Sequence, residues 1–178
     1  MRKLKVTELK RIDVRQFKAS DKTPLTVVLD DVRSMYNVGS VFRTADSFRL
    51  EKIMLCGITA CPPHPEIHKT ALGAELSMEW KKCENTIEAV NKLHEEGYEV
   101  YALEQVEHSV PLQNFKVEQG KKYALILGNE VKGVSQKAVN ICDGAIEIPQ
   151  FGTKHSMNVS VSGGIAIWQI ASQLLKLQ

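Results

Sequence analysis

Three short stretches of the chain concentrate side chains able to handle a polar reaction: "NVGSVFRTA" from Asn37, "LGNEVKG" from Leu127 and "IPQFGTKHSMNV" from Ile148. The first carries an amide, Asn37, and a guanidinium, Arg43, whose planar fork of donors suits a phosphate or a hydroxyl. The second sets a carboxylate, Glu130, between Gly128 and Gly133. The third brings a hydroxyl and an amide, Ser156 and Asn158, close behind the basic Lys154 and His155. Gly128, Gly133 and Gly152 let the main chain approach a ligand closely, so a site built from backbone donors and acceptors is expected.

Several common chemistries do not fit. Gly128 to Ser135 copies the outline of a phosphate-binding P-loop, but Val134 stands where the lysine that reaches the phosphates is needed, and Glu130 would repel a triphosphate. No G-x-G-x-x-G fingerprint is present. "KHSMN" lacks the G-x-S-x-G elbow of a serine hydrolase, and neighbours on a loop rarely face one another. Cys56, Cys61, Cys83 and Cys142 form no C-x2-C pair, which reads as reduced core thiols. His64 and His68 are four apart, but no HExxH pattern surrounds them and "CPPHP" predicts a loop, so no metal is expected.

The elements that must position these residues alternate. Runs rich in β-formers fall at 25–30, 52–57, 98–103, 123–128 and 144–149, and helical segments at about 38–48, 85–97, 135–143 and 158–176. Asn85 caps the second helix and Gly97 follows its end. This order predicts an α/β fold with a mainly parallel sheet flanked by helices. Ligands of open parallel sheets bind outside the carboxyl ends of the strands, and all three polar stretches follow a predicted strand. Gly163 and Gly164 interrupt the last helical run, at a cost of roughly 1 kcal/mol each relative to Ala, so a crossing helix is expected to come close there.

A length of 178 residues suits one compact domain, and 43% hydrophobic with 25% charged residues is an ordinary globular composition. No apolar run is long enough to cross a bilayer, and "MRKLK" leads into polar residues, which predicts a soluble, cytoplasmic protein with no membrane partner. The net charge of +2 hides an asymmetry: residues 1–18 hold seven Lys or Arg against two acids. Val6, Leu9, Ile12 and Phe17 fall near helical spacing there. An amphipathic helical arm over 1–23 would turn Arg2, Lys3, Lys10, Arg11 and Arg15 outward, a face suited to a polyanion.

Taken together, Asn37, Gly39, Arg43 and Ala45, then Leu127, Gly128, Glu130 and Gly133, then Ile148, Pro149, Gly152, Ser156, Met157, Asn158 and Val159 resemble the three motifs of the SpoU (TrmH-like) family. These are RNA ribose 2′-O-methyltransferases of the SPOUT class. The resemblance covers about residues 24–175 and defines an expected methyltransferase domain over 24–178. It implies a C-terminal deep trefoil knot, a homodimer, and S-adenosylmethionine bound by Leu127, Gly128, Asn129, Gly133, Ile148, Pro149, Gly152, Ser156 and Met157. It further implies catalysis by Arg43 with Asn37, Glu130, Ser156 and Asn158, on a transfer or ribosomal RNA held by the basic arm, Arg43 and Lys154. Family members assign the matching arginine as the base; gripping a phosphate or polarising the hydroxyl is the alternative for a group with a pKa above about 12. Asn37 either caps its helix or orients Arg43. The short N-terminal arm leans toward transfer RNA. Gln150 and Phe151 depart from many relatives, which carry Met and a small residue there. A non-catalytic RNA-binding paralogue of the same fold is the second reading.

Overall fold

The computed structural model describes residues 1–177, the side chain of Val6 excepted. Val6 as an apolar position of the arm and Gln178 as the last residue of the expected domain therefore lie outside the described residues. A 3-10 turn, Val6–Leu9, precedes α1, Val14–Ala19. The core alternation follows: β1 Thr23–Asp30, α2 Met35–Ser47, β2 Leu50–Cys56, α3 Pro65–Ala71, α4 Ala74–Ser77, β3 Trp80–Cys83 and α5 Thr86–Glu95. The second half comprises β4 Tyr98–Leu103, β5 Val110–Pro111, a 3-10 turn Leu112–Asn114, β6 Lys122–Leu127, α6 Gln136–Val139, β7 Gly144–Glu147 and α7 Val159–Leu174.

Among the described residues the strands form one seven-stranded sheet in the order β3-β2-β1-β6-β4-β7-β5, and every pair is parallel. Both faces are covered, as crossover connections require of a parallel sheet. Leu25, Val27 and Leu29 of β1 point into one core with Val38, Val41 and Phe42 of α2 and Ala166, Ile167 and Ile170 of α7. Val28 points the other way, to Ala89, Val90 and Leu93 of α5 and Ala138 of α6. Each such side chain, fully buried, stabilises the fold by about 1.5–3 kcal/mol. Thus β1, with neighbours on both sides and helices on both faces, is the most enclosed strand, and its carboxyl end becomes a fixed reference for the loops around it.

Expected and observed elements differ where local signals conflict. The single amphipathic arm helix is instead two short helices separated at Lys10, which takes φ 48°. Asp13 caps α1 by accepting from the Gln16 N–H at 2.7 Å. Leu9 and Ile12 are exposed, and Phe17 is buried. Six residues of helix do not sustain an apolar stripe, so the basic side chains radiate from an irregular segment. The segment containing His64 and His68, expected as a loop, starts a helix. His64 caps α3 by accepting from the Glu66 N–H at 3.2 Å and Pro65 occupies the first turn, where proline costs no hydrogen bond. His68 pairs with Glu75. The edge strands β3 and β5 carried too few β-formers to be read; Lys81 and Lys82 leave β3 exposed to water, which protects an edge. The helix 135–143 contracts to one turn at α6, whereas Asn85 caps α5 as expected, accepting from the Glu88 N–H at 2.9 Å. Cys56 and Cys83 are buried and Cys61 and Cys142 half-buried; burial, followed by Asp143, pushes the Cys142 thiol up to about 12, a poor nucleophile at neutral pH.

Two glycines reveal the packing. A Cβ on Gly39 would stand 2.2 Å from both the Ile67 carbonyl oxygen and Thr70 Oγ1, so α2 lies against the backbone of α3. A Cβ on Gly163 would meet Leu127 Cδ1 at 2.6 Å. The close neighbour there is a strand side chain and Gly164 has open space around it, so within this chain neither glycine is set against a crossing helix, although α2 packs elsewhere on α7.

Gly39→Ala is expected to destabilise the protein by about 1–3 kcal/mol, the usual range for overpacking against atoms that cannot retreat. A urea titration checks it: the midpoint should fall with an unchanged m value.

Candidate functional site

Four loops converge beyond the carboxyl ends of β1, β4, β6 and β7. Ser34 caps α2, its Oγ accepting from the Asn37 N–H at 3.3 Å. Asn37 is therefore not the cap; it sits in the first turn, buried, with its amide free to bridge. Its Nδ2 donates to Glu130 at 2.9 Å, and its Oδ1 accepts from Asn158 Nδ2 at 3.2 Å. One carboxamide thus joins all three sequence motifs.

Glu130 is tied further: its two oxygens accept the Arg33 and Ser34 N–H groups at 2.9 and 3.0 Å. Burial works to raise this carboxyl, but the donors of Arg33, Ser34 and Asn37 outweigh it and hold Glu130 below its usual value of 4.5. Asn158 caps α7 through bonds from the Ser160 and Val161 N–H groups at 2.9 and 3.3 Å. Ser160, which the sequence did not single out, donates to Asn158 Oδ1 at 2.7 Å. The motif residues therefore build a scaffold before they meet any ligand.

The loop after β6 folds back on itself. Asn129 and Gly133 exchange backbone hydrogen bonds, and Asn129 Nδ2 donates to the Asp31 carbonyl at 2.7 Å while its Oδ1 receives the Val131 and Lys132 N–H groups. Gly133 takes φ +68°, and a Cβ there would lie 2.1 Å from Glu104 Oε2. Only glycine fits both conditions. Glu104, at the end of β4, receives the Val134 N–H at 2.9 Å, and buried Asp30, ending β1, receives the Ser135 N–H at 2.8 Å and the Thr86 hydroxyl. Neither acid belonged to a motif. A carboxylate ending a predicted strand was the available signal.

These loops enclose a cavity of about 440 Å³. Of the residues expected to hold a cofactor, Gly128, Asn129, Gly133, Ile148, Ser156 and Met157 line it; Leu127, Pro149 and Gly152 do not. Leu127 is instead buried beneath α7, and Gly152 lies in an exposed loop with open space about it. Leu103, Val106, Val139, Ile148 and Met157 provide apolar walls. Glu104, Glu130 and Glu147 supply three carboxylates to the lining against the ammonium of Lys132, with Glu104 and Glu130 already accepting backbone N–H groups. Arg43 is exposed on α2 outside this lining, and Lys154 is exposed on the loop after β7. In the arm, Lys3, Lys10, Arg11 and Arg15 are exposed, and Arg2 pairs with Glu8 at 2.7 Å. Among the described residues no group of His, Cys, Asp or Glu is placed to hold a metal, and no helix is long and apolar enough to cross a membrane.

A parallel α/β sheet with a loop-built cavity at its carboxyl edge and an Asn–Glu–Asn scaffold beside it belongs to the open α/β class that binds ligands at that edge. Residues 24–168 match the SpoU rRNA Methylase family, and the chain belongs to that family. It is similar to the tRNA (guanosine(18)-2'-O)-methyltransferase of Thermus thermophilus, 29% identical over 96% of this chain and 86% of that protein. It is also similar to the 23S rRNA (guanosine-2'-O-)-methyltransferase RlmB of Vibrio parahaemolyticus, 27% identical over 94% of this chain and 67% of that one. In fold it superposes on the TrmH/SpoU tRNA modifying enzyme of A. aeolicus with a TM-score of 0.79 at 23% identity, covering 92% of this chain and 83% of that one. The AdoMet-bound rRNA methyltransferase of Sinorhizobium meliloti also scores 0.79, at 25% identity over 89% of this chain and 60% of that one.

Because the Glu130 carboxyl is held low, its contribution to stability is present above the unfolded value near 4.5 and is lost as pH falls through the lower folded value. Glu130→Gln should lower the melting temperature by roughly 2–4 °C at pH 7. Melting curves from pH 7 to pH 3 check the sign: the gap between the two proteins should close on the acid side.

Proposed function

We propose that this protein is an S-adenosylmethionine-dependent methyltransferase that modifies a ribose 2′-hydroxyl of transfer or ribosomal RNA, with transfer RNA slightly favoured. The observation that carries the reading is the Glu130–Asn37–Asn158 chain of hydrogen bonds at the rim of the cavity, which ties the three family motifs into one site. The cavity suits the cofactor. About 440 Å³, apolar walls and a surplus of carboxylates match an adenosine carrying a positive sulfonium. Gly128, Gly133, Ile148, Ser156 and Met157 would hold it, and when bound it supplies an electrophilic methyl group.

The remaining work falls to the chain's own residues. The scaffold fixes where a ribose is presented, so the hydroxyl is aligned rather than searching for its partner. Ser156 and Asn158 provide polar contacts at that edge. Arg43 would neutralise the adjoining phosphate or polarise the hydroxyl, whose proton would pass to solvent water. Arg43 lies outside the cavity of its own chain, which supports a homodimer in which a second copy supplies the guanidinium. Val161, Ile165 and Trp168, exposed along one side of α7, and exposed Tyr36 of α2 form an apolar face of the kind such a dimer buries. In this reading the chain after β7 threads the preceding loops as the family's trefoil knot, residues 24–178 form the methyltransferase domain, and the arm at 1–23 adds basic charge for RNA in the cytoplasm.

The test is incubation with methyl-labelled S-adenosylmethionine and unmodified transfer or ribosomal RNA, followed by digestion to nucleosides. Label should reach a 2′-O-methyl nucleoside, and Arg43→Ala should reduce it about 10²-fold or more, the cost of removing one transition-state donor. Label in a base refutes the ribose assignment. RNA binding without transfer or cofactor binding favours the non-catalytic paralogue.

A further inference from the structure

The loop between Ile148 and Met157 leaves the cavity wall and returns to it: Ile148, Gln150, His155, Ser156 and Met157 line the cavity, while Phe151 between them is 96% exposed. Among the described residues it is the phenylalanine whose ring stands in water. Phe17, Phe42 and Phe115 are buried and Phe48 packs at 5.5 Å from Trp168. The loop stands clear of the domain, since a Cβ on Gly152 would meet nothing within 4 Å, yet its return is anchored by Gln105 Nε2 donating to the His155 carbonyl at 3.1 Å. An aromatic ring is thus displayed at the mouth of the site, with Lys154 and His155 a few residues further along the same loop.

We propose that Phe151 is a base-stacking side chain that positions the RNA nucleotide for modification, an inference that rests on the function proposed above. A ribose reaches a recessed cavity more readily when its nucleotide turns outward, and that turn costs stacking. An exposed ring beside the cavity returns a π-face to that base, tolerant of its identity, while neighbouring Lys154 meets the backbone. A second copy of this chain is a poorer occupant. Phe151 sits among Gln150, Thr153, Lys154, His155 and Ser156, too little apolar surface for a protein contact, whereas Val161, Ile165 and Trp168 already offer a continuous face on α7.

The experiment compares wild type with F151A, F151L and F151W as purified full-length proteins. Filter binding to unmodified transfer and ribosomal RNA pools, methyl-transfer kinetics, calorimetric binding of S-adenosylmethionine, and sedimentation are measured. F151A should weaken RNA binding and raise KM for RNA about tenfold or more, with cofactor affinity and mass unchanged. F151W should restore RNA affinity, its added fluorescence quenched by RNA beyond the wild-type background of Trp80 and Trp168; F151L should not restore it. The proposal is overturned if F151L rescues as well as F151W, if RNA binding ignores the substitution, or if F151A shifts the mass. Active wild type with RNA affinity indifferent to Phe151 sinks this inference alone. Phe151-dependent RNA binding without methyl transfer sinks the enzymatic reading and keeps the stacking role, and failure to bind either pool overturns both.

Discussion

The hydrogen bond from Asn37 to Glu130 joins positions 93 apart in the chain, and the geometry of the site depends on it. It links the first turn of α2 to the loop after β6, and through Asn37 Oδ1 it reaches the start of α7. A neutral amide is the side chain suited to that place, because it donates at one end and accepts at the other. An aspartate would set a second negative charge against Glu130, and an aliphatic residue would take one hydrogen-bond partner from each neighbour. Glu130 in turn is acceptor to two backbone N–H groups, so its charge is met by oriented dipoles rather than by a cation.

The scaffold is effective because its three anchors hang from the rigid interior of a parallel sheet. Val27, Val28 and Leu29 of β1 are fully buried, and Asp30 at the strand's end grips the loop after β6 from beneath through Ser135. Glu104 grips the same loop from β4 through Val134. The loop is therefore clamped from both sides, and its closeness to Glu104 excludes any side chain at Gly133. A cavity framed this way needs little reorganisation to receive a ligand, which favours binding through main-chain groups over flexible side chains.

Two demands meet on α2. Its Gly39 face packs against the α3 backbone, its Asn37 serves the scaffold, and Arg43 is left in solvent outside the cavity. Helical periodicity separates Asn37 from Arg43, since residues six apart point in different directions. A motif that reads as one functional string thus separates into a packing residue, a bridging residue and an exposed cation.

Much of this was legible in the residues. Alternating β-rich and helical runs fixed the α/β class, because burial on both faces of a parallel sheet demands nearly continuous apolar strands such as "LTVVLD". The three polar stretches were recognisable from residue type and spacing, as was the Asn85 cap, since each is a local pattern. What the chain alone did not reveal were features set by distant contacts. The bridging role of Asn37, the packing origin of Gly39, the grip of Asp30 and Glu104 on the loop after β6, and the burial of Leu127 away from the cavity all depend on which segments meet. The broken arm and the helix at Pro65 also escaped, because short elements borrow their order from the core they touch and their own residues under-determine it. Sequence determined which chemistry the chain carries and on which kind of sheet; tertiary structure decided which of those groups face one another, because a hydrogen bond between residues 37 and 130 has no signature in either neighbourhood alone.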